Sequence, residues 1–172
     1  MKYDGSRPSV LSALRASLNA AISIVLLSYL LGCDSQEQQD QFAREASAPP
    51  SGITETTPDG DVVAEDADDW RTSPAFRGVL NVEPAFPNPV GGGDVYVHVR
   101  ITQFDRLPNG LALRAYRGDT FPILGVPVTQ VDPGIHVLRF NPGELVTTGL
   151  HRVFLFDHPG GELISYGDIR IE

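Results

Sequence analysis

Cysteine is almost absent from this sequence, and its scarcity excludes two common ways of stabilising a small protein. Cys33 is the only cysteine in 172 residues, so no disulfide can form within the chain. A structural zinc site built from several thiolates is excluded for the same reason. A folded domain here must therefore rest on a packed hydrophobic core, and the single cysteine needs a separate explanation.

Basic residues are also scarce, and lysine does not occur after Lys2. The chain has 22 acidic and 13 basic residues and a formal net charge of -9. Most of this excess lies in residues 34–69, which contain eleven acidic residues and one arginine. No segment has the clustered cations of a nucleic-acid surface, so nucleic acid is not an expected partner.

No apolar run is long enough to span a bilayer. The longest, residues 20–31, is about 12 residues, whereas a spanning helix needs about 20. It follows a polar start that contains Lys2, Arg7 and Arg15. A basic start followed by a short apolar run is typical of an export signal. An uncleaved signal anchor is the alternative.

The residues that end this run explain the cysteine. Leu30-Leu31-Gly32-Cys33 resembles the lipobox of bacterial lipoproteins, in which the signal peptide is cut before the cysteine and its thiol receives lipid. The resemblance implies that residues 1–32 are removed as a lipoprotein signal peptide and that Cys33 is the lipidation site. The chain is then expected to be anchored to a membrane of a bacterial cell envelope, on the periplasmic side or at the cell surface.

The acidic segment that follows does not have the composition of a core. Residues 33–69 carry single apolar residues among polar and acidic ones, with no period of 2 or 3.6. Low hydrophobicity with high like charge predicts a disordered linker after the lipidated cysteine. Its acids could suggest calcium binding, but the spacing of an EF-hand loop is missing. Those acids are Asp59, Asp61, Glu65, Asp66, Asp68 and Asp69.

From Trp70 the pattern changes to short alternating runs separated by glycine and proline. About seven such runs with no helical period predict an all-β fold, a single Ig-like β-sandwich over residues 70–172. Phe121–Val131 contains two prolines and is predicted at a sheet edge, whereas 149–156 is apolar on both faces and is predicted to be central. The predicted core comprises Val95, Val97, Val99, Ile101, Leu113, Leu138, Phe140, Val153, Leu155 and Ile169.

Three short motifs in this domain are shared with known families. They are Pro87-Asn88-Pro89, the run from Gly134 through His136 to Phe140, and the run from Leu145 through Gly149 to His151. Together they resemble the Ig-like domain of the flagellar hook-capping protein and the C-terminal sorting domains of type IX secretion. His151 stands where those families usually have tyrosine. The resemblance implies an accessory sandwich domain, with secretion or assembly cargo as an alternative.

No catalytic pattern accompanies this fold. Ser73 and Ser165 lack a nucleophile motif, and the glycines at 91–93 precede a strand, whereas a phosphate loop precedes a helix. The candidate metal ligands, which lack zinc-site spacing, are His98, His136, His151 and His158. We therefore expect a non-enzymatic binding or structural module without metal or cofactor. A small envelope hydrolase or metal-binding protein using the histidines is the alternative.

The remaining expectation concerns contact surfaces. An edge strand can accept a partner strand, so Phe121–Val131 is one predicted contact surface. Exposed aromatic and arginine side chains are typical of binding hot spots, which adds Tyr96, Arg100 and Tyr116. The expected partner is an envelope protein or a glycan, and the protein is expected to be a monomer.

Overall fold

A computed structural model describes residues 36–103, 108–145 and 147–172. The chain divides into two compact units, Met1–Asp40 and Gln41–Glu172. Within the first unit only residues 36–40 are described, and they are helical. The predicted signal peptide and Cys33 lie outside the described residues. Among the residues that are described, no helix has the length and apolar character needed to cross a bilayer.

The second unit is an all-β sandwich, which confirms the predicted fold class. Its strands β1 to β9 are Glu55–Thr56, Val62–Ala64, Leu80–Val82, Val95–Ile101, Leu111–Ala115, Ile123–Val128, Gly134–Phe140, Gly149–Asp157 and Leu163–Ile171. One sheet has the order β3-β4-β7 and the other the order β6-β5-β8-β9, with all neighbours antiparallel. The short strands β1 and β2 form a separate two-stranded sheet, and Thr56 of β1 also makes an isolated antiparallel bridge with Asn88.

The core lies between the two sheets because alternate residues of each strand face inward. In β4, Val95, Val97, Val99 and Ile101 are buried while the residues between them are partly or fully exposed. All ten residues of the predicted core are at most 3% exposed. The two predicted strand positions also hold, since β6 is at an edge and β8 lies between β5 and β9.

The outer face of the four-stranded sheet carries a second, smaller apolar cluster. Phe154 and Tyr166 lie on this face and are covered by Phe42 and Ala46 from the helical residues 41–46. The rings of Phe42 and Tyr166 are 5.3 Å apart. This explains why the central strand β8 has apolar residues on both faces, because a different part of the chain covers each face.

Residues 41–69, which we call the strap, differ from the disordered linker that the sequence predicts. The strap begins as a helix, contains β1 and β2, and buries Phe42, Thr54 and Thr56. The compact unit consequently starts at Gln41, well before the predicted boundary at Trp70. Composition indicated disorder because the strap has few apolar residues, but its attachment is made largely by hydrogen bonds to its backbone.

Arg152 is the main anchor of the strap. Its guanidinium donates to the carbonyl oxygens of Glu45 at 2.9 Å, Ala46 at 3.3 Å and Ala48 at 2.7 Å. The carbonyls of Glu45 and Ala46 lie at the end of the helical residues, where backbone acceptors have no partner within a helix, and Ala48 lies two residues beyond that end. The same guanidinium pairs with Asp168, which also accepts a hydrogen bond from Ser51 N at 3.0 Å. One buried ion pair thus holds two points of the strap.

Asp69 and Asn88 complete this attachment from the other side. Asp69 accepts hydrogen bonds from the backbone N–H of Thr54 at 2.7 Å and of Asp168 at 2.8 Å. Asn88, in the middle of the Pro-Asn-Pro motif, donates to the carbonyls of Thr54 and Asp168 and accepts from Arg170 N. Both side chains therefore connect the strap to β9.

Candidate functional site

The four histidines are placed apart and make unrelated local contacts. His98 lies 3.2 Å from a Glu83 carboxylate oxygen, while His136 and His151 contact the carbonyls of Asp132 and Thr147. His158 lines a small pocket near the end of β8. In the described ranges no three His, Cys, Asp or Glu side chains are grouped so that they could hold a metal ion. The histidines thus offer no shared site for a ligand.

The two serines considered as nucleophiles are both fully buried. The hydroxyls of Ser73 and Ser165 have no hydrogen-bond partner among the described residues, and neither does the nearby indole N–H of Trp70. A serine nucleophile needs a base within hydrogen-bond distance and access for substrate. Neither serine meets these two conditions in the described structure.

The acids of the strap serve local structure. A hydrogen bond between the carboxyls of Asp66 and Asp68 raises the pKa of Asp66 and lowers the pKa of Asp68. Burial raises the pKa of Asp69 to about 6 from 3.8, although its hydrogen bonds from Asp168 and Thr54 act in the opposite direction. Because Asp69 uses both oxygens on backbone N–H groups, its carboxylate has a structural role.

The backbone hydrogen bonds of β4 determine which backbone groups of its neighbour β7 are left unpaired. Tyr96 exchanges backbone hydrogen bonds with Phe86, and the carbonyl of His98 accepts from Glu83 N. The backbone groups of these two residues therefore point away from β7. Val137 and Arg139 lie opposite them, so they form the non-hydrogen-bonded pairs of an antiparallel ladder.

It follows that the N–H and C=O groups of Val137 and Arg139 point away from β4. By alternation the same holds for Ile135, which lies opposite Arg100. In the part of the chain that is described, no strand pairs with β7 on that side. The side chains of Ile135 and Val137 are also 52% and 51% exposed. This edge combines unpaired backbone groups with exposed apolar side chains.

The edge strand β6 lies across a groove from β7. Gly125 packs on the backbone of Arg139, since a Cβ on Gly125 would lie 1.9 Å from the carbonyl oxygen. Beyond this contact the two strands border a groove of about 450 Å³ that includes Val126, Pro127 and Val137. Val126 is 82% exposed. We call this groove between β6 and β7 the seam.

A second surface lies on the outer face of the four-stranded sheet. The rings of Tyr116 and Phe121 have centroids 4.5 Å apart, and both contact Phe154. Phe121 also contacts Phe156 at 5.7 Å. Tyr116 is 65% exposed, and Phe121 and Phe156 are partly exposed. We call these four residues the aromatic ridge.

Two pockets flank the aromatic ridge. One, of about 450 Å³, lies between Tyr116 and Phe154 on one side and strap residues 46–50 on the other. The second, of about 240 Å³, is bordered by Phe121, Phe156 and Arg114. The guanidinium of Arg114 lies 5.8 Å from the Phe121 ring centroid. The ridge is thus an aromatic surface bordered by one pocket at Tyr116 and Phe154 and by another at Phe121 and Phe156.

Comparisons with models of known families, with curated proteins and with solved structures gave no match. The function of the chain must therefore be argued from its own surfaces. Tyr116, one of the predicted contact residues, lies on the aromatic ridge. Tyr96 and Arg100 lie on the outer face of the other sheet, where Tyr96 stacks on Phe86 and Arg100 contacts Glu83.

Sequence reasoning did not identify the open edge of β7 or the ridge as a unit. The edge of β7 depends on which residues of β4 bond to its other neighbours, and sequence does not reveal this pairing. Phe154 and Phe156 could have been recognised by their position on one face of β8, because residues two apart share a face. Their contact with Phe121 depends on the turn at Arg117–Thr120.

Proposed function

We propose that this chain is a lipid-anchored, non-enzymatic binding module of a bacterial cell envelope that captures an extended segment of a protein partner at the seam. The observation that carries the proposal is the edge of β7, where Ile135 and Val137 present unpaired backbone groups beside exposed apolar side chains. An added strand gains affinity from main-chain hydrogen bonds and specificity from alternating side chains.

The seam also has features that limit what can bind. The contact between Gly125 and Arg139 closes one end, so only a short extended segment fits along Ile135 and Val137. Alternating apolar residues on that segment would pack beside Val126 and Val137, which border the groove. A partner segment of about four to six residues with alternating apolar side chains is therefore the preferred occupant.

Membrane attachment forms the other half of the proposal and depends on Cys33. The motif at Leu30–Cys33 supports cleavage after Gly32 and addition of lipid to the thiol. Two or more acyl chains hold a protein stably at a bilayer. Attachment would raise the effective concentration of the module for partners in the same envelope.

The anchor is tested by expressing the full chain and fractionating membranes. Mass spectrometry of the membrane fraction should find a chain that begins at Cys33 and carries acyl chains. The Cys33→Ser variant should lack this lipid-modified species and should accumulate without lipid. Recovery of a purified chain that still contains residues 1–32 and carries no lipid would contradict the proposal.

Binding at the seam is tested by selecting ten-residue peptides from a random display library on the full chain carrying Cys33→Ser. The selected peptides should share alternating apolar residues and should lose binding to Val137→Asp, which places a charge on the open edge. A variant with all four histidines replaced by glutamine is the matched control and should bind as before. Peptides that bind equally to Val137→Asp, or a catalytic turnover lost with the histidines, would overturn the proposal.

A further inference from the structure

Three of the four ridge residues lie on a part of the sheet that has no open backbone edge. Tyr116 follows β5, and Phe154 and Phe156 belong to β8. β5 is paired on both sides by β6 and β8, and β8 is paired on both sides by β5 and β9. Only Phe121 lies close to an edge strand, β6. A ligand of the other three residues must therefore be recognised by side chains, and an extended peptide gains no strand pairing on them.

The ridge is aromatic, and two arginines lie beside it together with two acids, Asp119 in the turn and Asp157 in the small pocket. Arg114 lies opposite Phe154 in the β5–β8 pairing, and Arg117 follows Tyr116 in the turn that leads to Phe121. Within the described part of the chain neither arginine has a carboxylate at ion-pair distance. The one hydrogen bond of the Arg114 side chain goes to the Phe121 carbonyl at 3.4 Å. Most of its five N–H donors are thus available.

One acid close to Arg114 is directed to other donors. Asp157 lines the same small pocket as Arg114, but its carboxylate accepts hydrogen bonds from Asn109 N and Asn109 Nδ2 at 2.7 and 3.0 Å. It is also buried, with 9% exposure. The Arg114 guanidinium therefore keeps donors that can pair with a carboxylate of a ligand.

From these observations we infer that the aromatic ridge binds an acidic polysaccharide, with uronic acid as the class of sugar that it recognises. The apolar face of a pyranose ring stacks on an exposed aromatic ring such as Tyr116, while a uronate carboxylate pairs with the planar guanidinium of Arg114. The pockets on both sides of the ridge give room for neighbouring sugars along a chain. The site is separate from the seam, so the module could hold a protein segment and a polysaccharide together.

An acidic peptide would satisfy the same arginines, but the ridge offers it less. Tyr116, Phe154 and Phe156 have no strand edge for peptide backbone beside them, and the four rings of the ridge contact one another. A sugar ring can stack its apolar C–H face on such rings. Charge does not distinguish the two ligands, so it is this stacking that favours the polysaccharide.

The test is isothermal titration of the full chain carrying Cys33→Ser with hexamers of galacturonate, mannuronate and a glucuronate-containing repeat. At least one should bind, with affinity that falls as salt rises. Cellohexaose serves as the neutral probe and hexaglutamate as the peptide probe. If cellohexaose binds as tightly as the uronate hexamers, charge has no role in recognition. If hexaglutamate binds as tightly, the preference for a polysaccharide over a peptide is contradicted. If no uronate hexamer binds, the proposed site itself is contradicted.

Variants locate the binding on the ridge. Arg114→Gln and Tyr116→Ala should each weaken the tightest uronate hexamer about tenfold or more, and Arg117→Gln should weaken it less. Arg100→Gln, on the outer face of the other sheet, is the matched control and should bind within about twofold of the parent. If Arg114→Gln lowers the unfolding midpoint, exposed Arg117 supplies the independent variant. Unchanged affinity in all three ridge variants would place any binding elsewhere.

Failure of this inference can be distinguished from failure of the proposed function. Val137→Asp alters the seam and should leave uronate binding unchanged, while Tyr116→Ala should leave peptide capture at the seam unchanged. If Val137→Asp also abolished uronate binding, the separate site on the ridge would be contradicted.

Discussion

Arg152 and Asp168 lie directly opposite each other on β8 and β9 and pair through two hydrogen bonds, of 2.7 and 2.8 Å. Both side chains are almost completely buried. Burial works against the charge of Arg152, but its bonds to Asp168 outweigh this effect and raise its pKa. Because the same guanidinium binds three strap carbonyls, this pair joins the strap to the sandwich.

Removal of this arginine should therefore be severe. We expect Arg152→Ala to lower the free energy of unfolding by about 3–5 kcal/mol, since Asp168 would remain buried without a countercharge. The measurement is urea unfolding followed by circular dichroism. Arg139→Ala is the matched control, because Arg139 is 65% exposed in its pair with Asp94 and should cost less than about 1 kcal/mol. Equal losses in the two variants would contradict a special role for Arg152.

The strap itself should be protected from solvent exchange. Thr54 N–H donates to buried Asp69, and Thr56 N–H donates to the carbonyl of Asn88, so both amides should exchange slowly. Val62 and Val63 in β2 are more than half exposed and supply the internal comparison. Hydrogen exchange followed by NMR measures all four. Rapid exchange of Thr54 and Thr56 would instead support the disordered linker that composition predicts.

Asp69 should make stability depend on pH. Burial raises the pKa of this carboxyl to about 6 in the folded protein from 3.8, so the folded state binds the proton more tightly than the unfolded state does. The contribution of Asp69 to stability therefore increases as the pH falls from above 6 to below 4. About 1.4 kcal/mol per pKa unit, reduced for partial solvation, gives a gain of about 1–2 kcal/mol.

The pH effect is measured by chemical unfolding of parent and Asp69→Asn between pH 4 and 7. Asparagine cannot titrate, and its amide replaces one acceptor with a donor, so it should lower stability at every pH. The difference in free energy of unfolding between parent and variant should widen toward low pH. A constant difference across this range would show that Asp69 does not titrate there.

The ring of Phe140 should be among the largest single contributors to the core. It is 2% exposed between the two sheets, so Phe140→Ala should cost about 3–5 kcal/mol through lost burial and the resulting cavity. Ile135→Ala, on the same strand but 52% exposed, is the control and should change stability by less than about 0.5 kcal/mol. Thermal or urea unfolding distinguishes them. A loss below 1 kcal/mol for Phe140→Ala would be inconsistent with this packing.

The sandwich could be predicted because its signal is local. In β4 the apolar residues alternate with polar ones, and this period alone identifies the buried face of Val95, Val97 and Val99. The ends of the strands differ by a few residues from the predicted runs. The predicted run 149–156 is β8, Gly149–Asp157, and the predicted edge strand Phe121–Val131 is shortened to Ile123–Val128.

The strap could not be predicted in the same way. Its binding depends on Arg152, more than one hundred residues away in sequence from the carbonyls that it contacts. Backbone carbonyls carry no sequence signal, and Phe42 is a single apolar residue in a polar segment. Composition measures how much a segment can bury by itself, whereas the strap is held by groups that the sandwich provides.

The seam was predicted in part, on the side of β6. The prolines of Phe121–Val131 indicate an edge, and β6 is one. The contribution of β7 follows from the pairing of Tyr96 and His98 with their other neighbours, which requires knowledge of the register. A single sequence does not fix that register.

The outer edge of β9 is closed by the chain itself. Trp70 N and Ser73 N bond to carbonyls of Tyr166 and Ile164, and Val90 N bonds to the carbonyl of Arg170. This edge therefore offers no template for a partner strand. A second copy of the chain cannot add an edge strand to β9, so strand addition cannot propagate from one molecule to the next through this strand.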